Sequence, residues 1–564
     1  MDLDSFFSPG GELSRLEQAQ MAASVADALD EGTHVLVEAG TGVGKSLAYL
    51  VPGIAWALAQ ETRLMVSTHT KALQAQLMNH ELPLLSENLV FGRRFAFEIC
   101  LGVENYVCLQ RLLREGSAEM LPGMEDAYAD DLKSVMTWCA ENVTGIRQDA
   151  PFAVSESLWR QVRAERELCL GTKCQHRKDC FWQQARDRQR QADVLVTNHS
   201  LFFSNLAAAG RLLPEFQAAI LDEAHRVEDV AANFLGDELS QSDLLQLLAE
   251  IGRRGRGGFL NRLQKLSPTR AEEIAALVYG FEARQETWWQ QVSALFPPGA
   301  DTLRFKQPHP GLERPETEAL LELSRVLEDL QSVWETEEDA KAAAYLAARL
   351  EDAARRWRLW HEHTAPGFVY WAETYPSGRS RRVRLLATPL DLSTRLREMA
   401  FEAIPSVVLT SATLAVNGSF DYLKARLGIV AARELILKSP FPYEENAAVY
   451  VPRNIPDPRD AEAYEARILQ ETGQLIRAFG GGTFVLFTSH RFLRRAAEAL
   501  RANLPEQLFL VQGEDTTPRL LHRFREHQNA VLLGVETFWQ GVNVPGDALR
   551  CVVITRLPFD VPTH

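Results

Sequence analysis

Cys169, Cys174 and Cys180 stand within twelve residues of one another in a chain of 564 that holds seven cysteines. Thiols so crowded are metal ligands, reactive groups or halves of disulfides. The first residues, MDLDSFFSPGGELSRLEQ, carry acids and no apolar core of a leader peptide, and no stretch offers about 18 uninterrupted apolar residues for a membrane span. The expected compartment is therefore the cytoplasm, where thiols stay reduced, and seven is an odd number. The cluster reads as metal ligands or reactive thiols rather than disulfides.

A second chemistry lies at Ala39-Gly40-Thr41-Gly42-Val43-Gly44-Lys45-Ser46, a phosphate-binding loop with alanine in place of its first glycine. Glycines let backbone N–H groups, here those of Gly42, Val43 and Gly44, converge on phosphate oxygens at a helix N-terminus. Lys45 would reach the β- and γ-phosphates of ATP, and the Ser46 hydroxyl would ligate Mg²⁺. Further on, Asp222-Glu223-Ala224-His225 closes an apolar run. Asp222 can hold the Mg²⁺ shell and Glu223 can orient or deprotonate an attacking water. The plain alternative is a pair of acids capping a strand-to-helix turn.

These residues need a scaffold that delivers them together. THVLVEAGTGVGKSLAYLVPGIAWAL passes from a β-branched run through glycines into helical periodicity, which is strand, loop, helix. SVVLTSATL at 406–414 and GTFVLFTSHRFLRRAAEAL at 482–500 repeat that order. Repeated βα units predict an α/β fold with parallel sheets and ligands at the strand C-termini. A chain of this length exceeds a single core, so several domains are expected. The net charge of −15 argues against a surface coated with phosphate-binding residues, yet Arg160–Arg190 holds nine Lys or Arg against four Asp or Glu. That run is a local basic patch around the cysteines, or simply a solvated charged surface.

Taken in order, these motifs resemble the superfamily 2 helicases, and within them the DinG branch of the XPD-like iron–sulfur helicases. RLEQAQM, EAGTGVGKS, VSTHTKALQAQL, VTNHSLF, LDEAH, LTSATL, VLFTSH, VQGE and ETFWQGVNVPGDALRCVVITRLPF follow in family order along nearly the whole chain. The resemblance implies two RecA-like motor domains with an iron–sulfur insertion and a helical arch insertion. It makes Gln18 the adenine reader, Lys45, Asp222, Glu223 and His225 the hydrolytic set, Thr68, Lys71, Gln74, Asn198 and His199 DNA contacts, and Ser411-Ala412-Thr413 the coupling segment. It gives the three cysteines a fourth partner, Cys108, with spacing C-x60-C-x4-C-x5-C, for a 4Fe–4S cluster acting as a structural brace. Four thiolates can also hold zinc, although structural zinc favours short pairs on both sides, and free thiols are the third reading. Cys100, Cys139 and Cys551 fall outside the pattern and are expected in cores.

By the same resemblance, 1–97, 190–232 and 383–430 build the first motor domain, 98–189 the iron–sulfur domain, 233–382 the arch and 431–564 the second motor domain. Trp288, Trp289, Trp334, Trp357 and Trp360 of the arch are expected in its core, with base stacking as the alternative. The implied activity is ATP-driven 5′-to-3′ movement on single-stranded and forked DNA, in repair or at replication forks, by a monomer with replication or repair proteins as possible partners and no membrane attachment.

The sequence departs from the family in three places. It stops at LPFDVPTH, before the family's paired arginines, so the second motor domain is expected to be incomplete. A natural end at His564 would predict very weak turnover, since an arginine finger is worth about 10³–10⁵ in rate. Asn543 and Gln540 stand where the family carries aspartate and often glutamate. These departures keep an alternative open, a hydrolysis-impaired protein that binds DNA and nucleotide. A fused nuclease is disfavoured by the 38 residues ahead of the phosphate loop, and RNA remains compatible with backbone gripping and stacking.

Overall fold

A computed structural model describes residues 16–87, 91–117, 126–252, 259–297, 300–330, 333–377, 380–535, 538–539, 542, 544 and 546–558. Gln540 and Asn543 lie outside them. The chain forms two compact units, Met1–Pro440 and Phe441–His564.

In the first unit, short β-branched and apolar runs become β1 (Val35–Ala39), β2 (Leu64–Thr68), β3 (Phe97–Ile99), β4 (Val194–Asn198) and β5 (Ala218–Asp222), joined by β10 (Ser406–Ser411) and β11 (Arg433–Leu437). They pair in the order β11-β1-β10-β5-β2-β4-β3, parallel throughout. Successive side chains leave opposite faces of a strand. Val35, Val37, Leu64 and Val66 accordingly enter one apolar core, and Leu36 and Met65 enter another on the far face. Burial on both faces explains why these strands read as near-continuous apolar runs.

Two long excursions leave this sheet. Between β3 and β4, short helices gather around their own core of Tyr106, Trp138, Trp159 and Phe181. Between β5 and β10, an antiparallel sheet of β6 (Asp237–Ser240), β7 (Thr302–Phe305), β8 (Phe368–Ser377) and β9 (Ser380–Pro389), ordered β6-β9-β8-β7, packs with the helices Gln241–Gly252, Pro268–Ala294, Thr317–Asp329 and Glu337–Glu362. The excursion over the residues expected for the arch is thus helices on a sheet rather than helices alone. All five of its expected core tryptophans are buried there.

Several expected boundaries move. β3 pairs with β4, so the first sheet continues past residue 97. β9 pairs with β6 and β8 through Pro389, carrying the arch beyond 382. β11 pairs with β1, so the first unit runs past 430 to Pro440. Cys100 and Cys139 are buried as expected of core residues, whereas Cys551 is only half-buried.

The second unit holds β12 (Thr483–Leu486), β13 (Leu508–Val511), β14 (Ala530–Gly534) and β15 (Cys551–Ile554), parallel in the order β13-β14-β12-β15. The helices Ala461–Phe479, His490–Asn503 and Thr517–Glu526 accompany them. No helix among the described residues is long and apolar enough to cross a membrane.

Candidate active site

Three adjacent strands, β1, β10 and β5, end at one place because Glu38 is in register with Ser411 and Thr410 with Asp222. The phosphate loop leaves β1 there. Gly44 has φ +80, a backbone conformation that favours glycine, and a Cβ on it would fall 2.3 Å from Gln18 Nε2 and displace that side chain. Gln18, buried in the helix Leu16–Glu31, donates from Nε2 to the Gly44 carbonyl at 2.9 Å. The expected adenine reader is therefore tied directly to the loop. Lys45 opens the helix Lys45–Ala59 and donates from Nζ back to the Ala39 carbonyl at 3.4 Å.

Asp222 is 5 % exposed, and its carboxyl is pushed up to about 7, chiefly by burial, with the Glu223 charge adding and Lys45 opposing. Tyr49 is wholly buried and donates its hydroxyl to Asp222 Oδ2 at 3.1 Å. Burial first, and then the Asp222 charge, hold that phenol far above its ordinary range, so it remains a donor. The Asp222 Oδ1 accepts from the Glu223 N–H at 3.0 Å. A carboxylate so buried and so oriented is suited to a cation beside the phosphates.

Glu223 adopts left-handed backbone, φ +54, uncommon for a residue with a Cβ and costing about 1–3 kcal/mol where it occurs. The turn aims its carboxylate at β10. Ser411 Oγ lies 3.2 Å from Glu223 Oε2 and 2.7 Å from His225 Nδ1. One hydroxyl proton given to Glu223 leaves the serine oxygen to accept from His225 Nδ1–H. Behind them Glu38 Oε2 accepts from the N–H groups of Leu414 and Ala415 at 2.6 and 2.7 Å, fixing the segment after Ser411, Ala412 and Thr413. Glu38 opens the EAGTGVGKS motif with no role of its own attached, and Tyr49 lies just past it, so only their positions next to the phosphate loop hinted at a role.

The five expected DNA contacts divide. Thr68 and Gln74 are buried at 0 % and 2 % exposure. His199 is likewise buried, donating from Nε2 to the Asp222 carbonyl at 2.9 Å and bonding Ser67 Oγ through Nδ1 at 2.8 Å. Burial pushes this imidazole down to about 3, so it is neutral. Thr68 and His199 turn their polar groups inward and brace the strand ends, whereas the buried Gln74 Nε2 has no hydrogen-bond partner. Asn198 is half-buried and caps the helix His199–Ala207 by accepting from Leu201 N at 2.8 Å. Lys71 opens the helix Lys71–Gln76, and its side chain lies outside the described residues.

Cys108, Cys169, Cys174 and Cys180 line one cavity of about 140 Å³. Cys180 caps the helix Phe181–Gln191 and Cys108 immediately precedes Leu109–Ser117. Cys108 accepts from the Arg111 N–H, Cys169 from the Gly171 N–H at 3.4 Å, and Cys180 from those of Gln183 and Trp182. Burial raises the Cys108 thiol to about 11 and also raises that of Cys180. Amides directed at sulfur and helix N-termini favour thiolate, which is the form a metal takes. The donor set fits four-thiolate ligation in kind, yet the sulfurs are not drawn together: no three Cys, His, Asp or Glu among the described residues form a metal-holding group. The helix Glu337–Glu362 closes over this cavity, with Lys341 Nζ donating to the Cys169 carbonyl at 3.1 Å, Lys173 paired with Glu337 at 2.7 Å, and Gln110 bonded to Glu338 at 3.1 Å.

Residues 18–105 match the family model of DEAD/DEAH box helicases, and residues 472–564 match that of the helicase C-terminal domain. The chain is 34 % identical to the ATP-dependent DNA helicase YoaA of Escherichia coli, over 99 % of this chain and 85 % of that protein. It is 33 % identical to the ATP-dependent helicase DinG of Mycobacterium tuberculosis, over 98 % and 82 %. A protein of Bacillus subtilis named 3′-5′ exonuclease DinG is 28 % identical over 99 % of this chain and 63 % of its own length. Among solved structures, an XPD helicase superposes with a TM-score of 0.53 at 15 % identity, covering 98 % of this chain and 86 % of that one, a likeness of fold.

Proposed function

The chain belongs to the DinG/YoaA family of ATP-dependent DNA helicases, and on that premise we propose that it hydrolyses ATP to move 5′ to 3′ along single-stranded DNA and to split forked duplexes, in repair or at replication forks. The observation that carries this reading is the meeting of phosphate loop, Asp222, Glu223, His225 and Ser411 at the ends of three neighbouring parallel strands.

In this assignment Gln18 reads adenine, the N–H groups of Gly42, Val43 and Gly44 cradle the phosphates, and Lys45 neutralises their charge. Ser46 and Asp222 are the residues that would hold Mg²⁺, whose chemistry there is to polarise the phosphoryl oxygens. Glu223 orients the attacking water and accepts its proton. His225, Ser411, Ala412 and Thr413 relay the state of that carboxylate along β10. Lys71, Gln74 and Asn198 remain the DNA contacts from the motif set, while Thr68 and His199 act behind them as braces.

Cys108, Cys169, Cys174 and Cys180 would hold a 4Fe–4S cluster, which when bound supplies a covalent brace between three short segments of the insertion. The basic run Arg160–Arg190 then grips the DNA backbone beside it. The working protein is assigned to the cytoplasm, as a monomer.

The test is ATP hydrolysis by residues 1–564, purified without oxygen, with and without single-stranded DNA, beside Lys45→Ala, followed by unwinding of 5′-tailed and 3′-tailed duplexes. DNA-stimulated turnover lost in Lys45→Ala, with only the 5′-tailed substrate opened, is the expected result. Turnover at the level of the Lys45→Ala control with DNA binding intact would replace the motor by the hydrolysis-impaired binding protein for these 564 residues, and unwinding of the 3′-tailed duplex alone would reverse its direction.

A further inference from the structure

The helix Lys71–Gln76 widens into a π-turn, Leu77–Glu81, before resuming as Leu82–Glu87. π-turns give poorer helical geometry and recur at functional sites, because the extra residue redirects the side chain that follows. The side chain delivered here is Glu81. Its Oε1 accepts from Gln76 Nε2 at 2.7 Å, which holds the carboxylate against its own helix. Its Oε2 is buried and accepts no hydrogen bond. The Ser46 hydroxyl lies beside this carboxylate and beside the Tyr49 hydroxyl, whose proton is given to Asp222.

A hydroxyl that ligates a cation must turn its lone pairs to the metal and send its proton elsewhere. The acceptors beside Ser46 are the Tyr49 phenol oxygen, a neutral group whose own proton goes to Asp222, and a carboxylate oxygen with no other donor, the stronger acceptor of the two. We propose that Glu81 is a positioning residue for Mg²⁺ and nucleotide: it takes the hydrogen bond of the Ser46 hydroxyl and holds that oxygen toward the metal. This rests on the nucleotide-binding reading and adds to it an acid from outside the phosphate loop and outside the Asp222-Glu223 pair. Partners behind a metal ligand typically change metal affinity 10–100-fold when removed.

The experiment is equilibrium binding of a fluorescent ADP analogue to the full chain, titrated with Mg²⁺, for wild type, Glu81→Gln, Glu81→Asp, Ser46→Ala and the Ser46→Ala/Glu81→Gln double variant. Glu81→Gln is expected to raise the Mg²⁺ concentration at half-saturation about tenfold and to leave metal-free nucleotide binding unchanged. Glu81→Asp should recover most of the loss, and Glu81→Gln should add nothing in the Ser46→Ala background. A Mg²⁺ curve for Glu81→Gln that overlays wild type, or additive effects in the double variant, would overturn the proposal. Absence of Mg²⁺-dependent nucleotide binding by wild type would instead overturn the nucleotide reading itself.

Discussion

Ser411 has one hydroxyl proton, which the geometry assigns to Glu223, while its oxygen accepts from His225 and, at 3.5 Å, from the Thr413 N–H. Ser411→Ala removes these bonds without touching the phosphate loop. A positioned base typically contributes 10²–10⁴ in rate, so loosening its orientation should lower kcat for ATP hydrolysis about tenfold or more. The KM for ATP should stay within about twofold, because binding equal in ground and transition states is unaltered. Steady-state kinetics decide this, and a raised KM with normal kcat would place Ser411 in nucleotide binding instead. At this scale the sequence was readable where a motif binds a residue type to a chemistry, as at Lys45, Asp222 and Glu223. Glu38 and Tyr49 were not readable, since a single acid or phenol acquires its role only from what the fold sets opposite it. Thr68 and His199 show the converse: their polarity and motif position suggested an exposed surface, but their hydrogen-bonding groups are used inside the strand ends.

Elements of the first sheet are held at their lower edge by His34, just before β1. Its Nε2 donates to the Phe401 carbonyl at 2.8 Å and its Nδ1 accepts from the Val407 N–H at 3.1 Å, next to the start of β10. Both bonds need the neutral ring. Burial lowers this imidazole below its ordinary 6.5, against a smaller opposing effect of the Phe401 bond. An unfolded chain therefore binds this proton at higher pH than the folded one, so the stability contributed here is complete above 6.5 and declines as pH falls below it. His34→Ala should cost about 2 kcal/mol at pH 7.5 by stranding two buried backbone groups. It should also flatten the decline of the urea midpoint between pH 7.5 and 5.5. A parallel decline in wild type and variant would show that other groups set the acid sensitivity. Fully buried strands such as SVVLTS are plain in sequence because both faces are apolar. β11, with Arg433 and Glu434 on an edge, and the hairpin β8–β9, with charged residues along it, are not, and their pairings run past residues 382 and 430.

Across the first unit, the arch and the cysteine-bearing insertion have separate apolar cores and meet chiefly through polar bonds such as Lys341 to Cys169 and Lys173 to Glu337. Separate cores predict separate responses to loss of a staple. If a cluster joins Cys108 to the 169–180 segment, it closes a loop of about 70 residues, and in the chain-entropy view a cross-link over such a span is worth several kcal/mol to the segment that contains it. Cys174→Ser should then lose the iron and the visible absorbance of protein isolated without oxygen, and trypsin should cut faster between β3 and β4. The arch should hold, because five of the eleven tryptophans, Trp288, Trp289, Trp334, Trp357 and Trp360, pack in a core that contains no cysteine. Their fluorescence, measured for wild type and variant alike in a background with Trp138, Trp159 and Trp182 of the insertion replaced by phenylalanine, should consequently stay close to that of wild type while the insertion is being cleaved. Stoichiometric zinc in the wild-type protein would replace the cluster by a zinc site. Equal cleavage rates in wild type and Cys174→Ser would remove the bracing role, and a red-shifted tryptophan emission in the variant would show that the two cores fold as one.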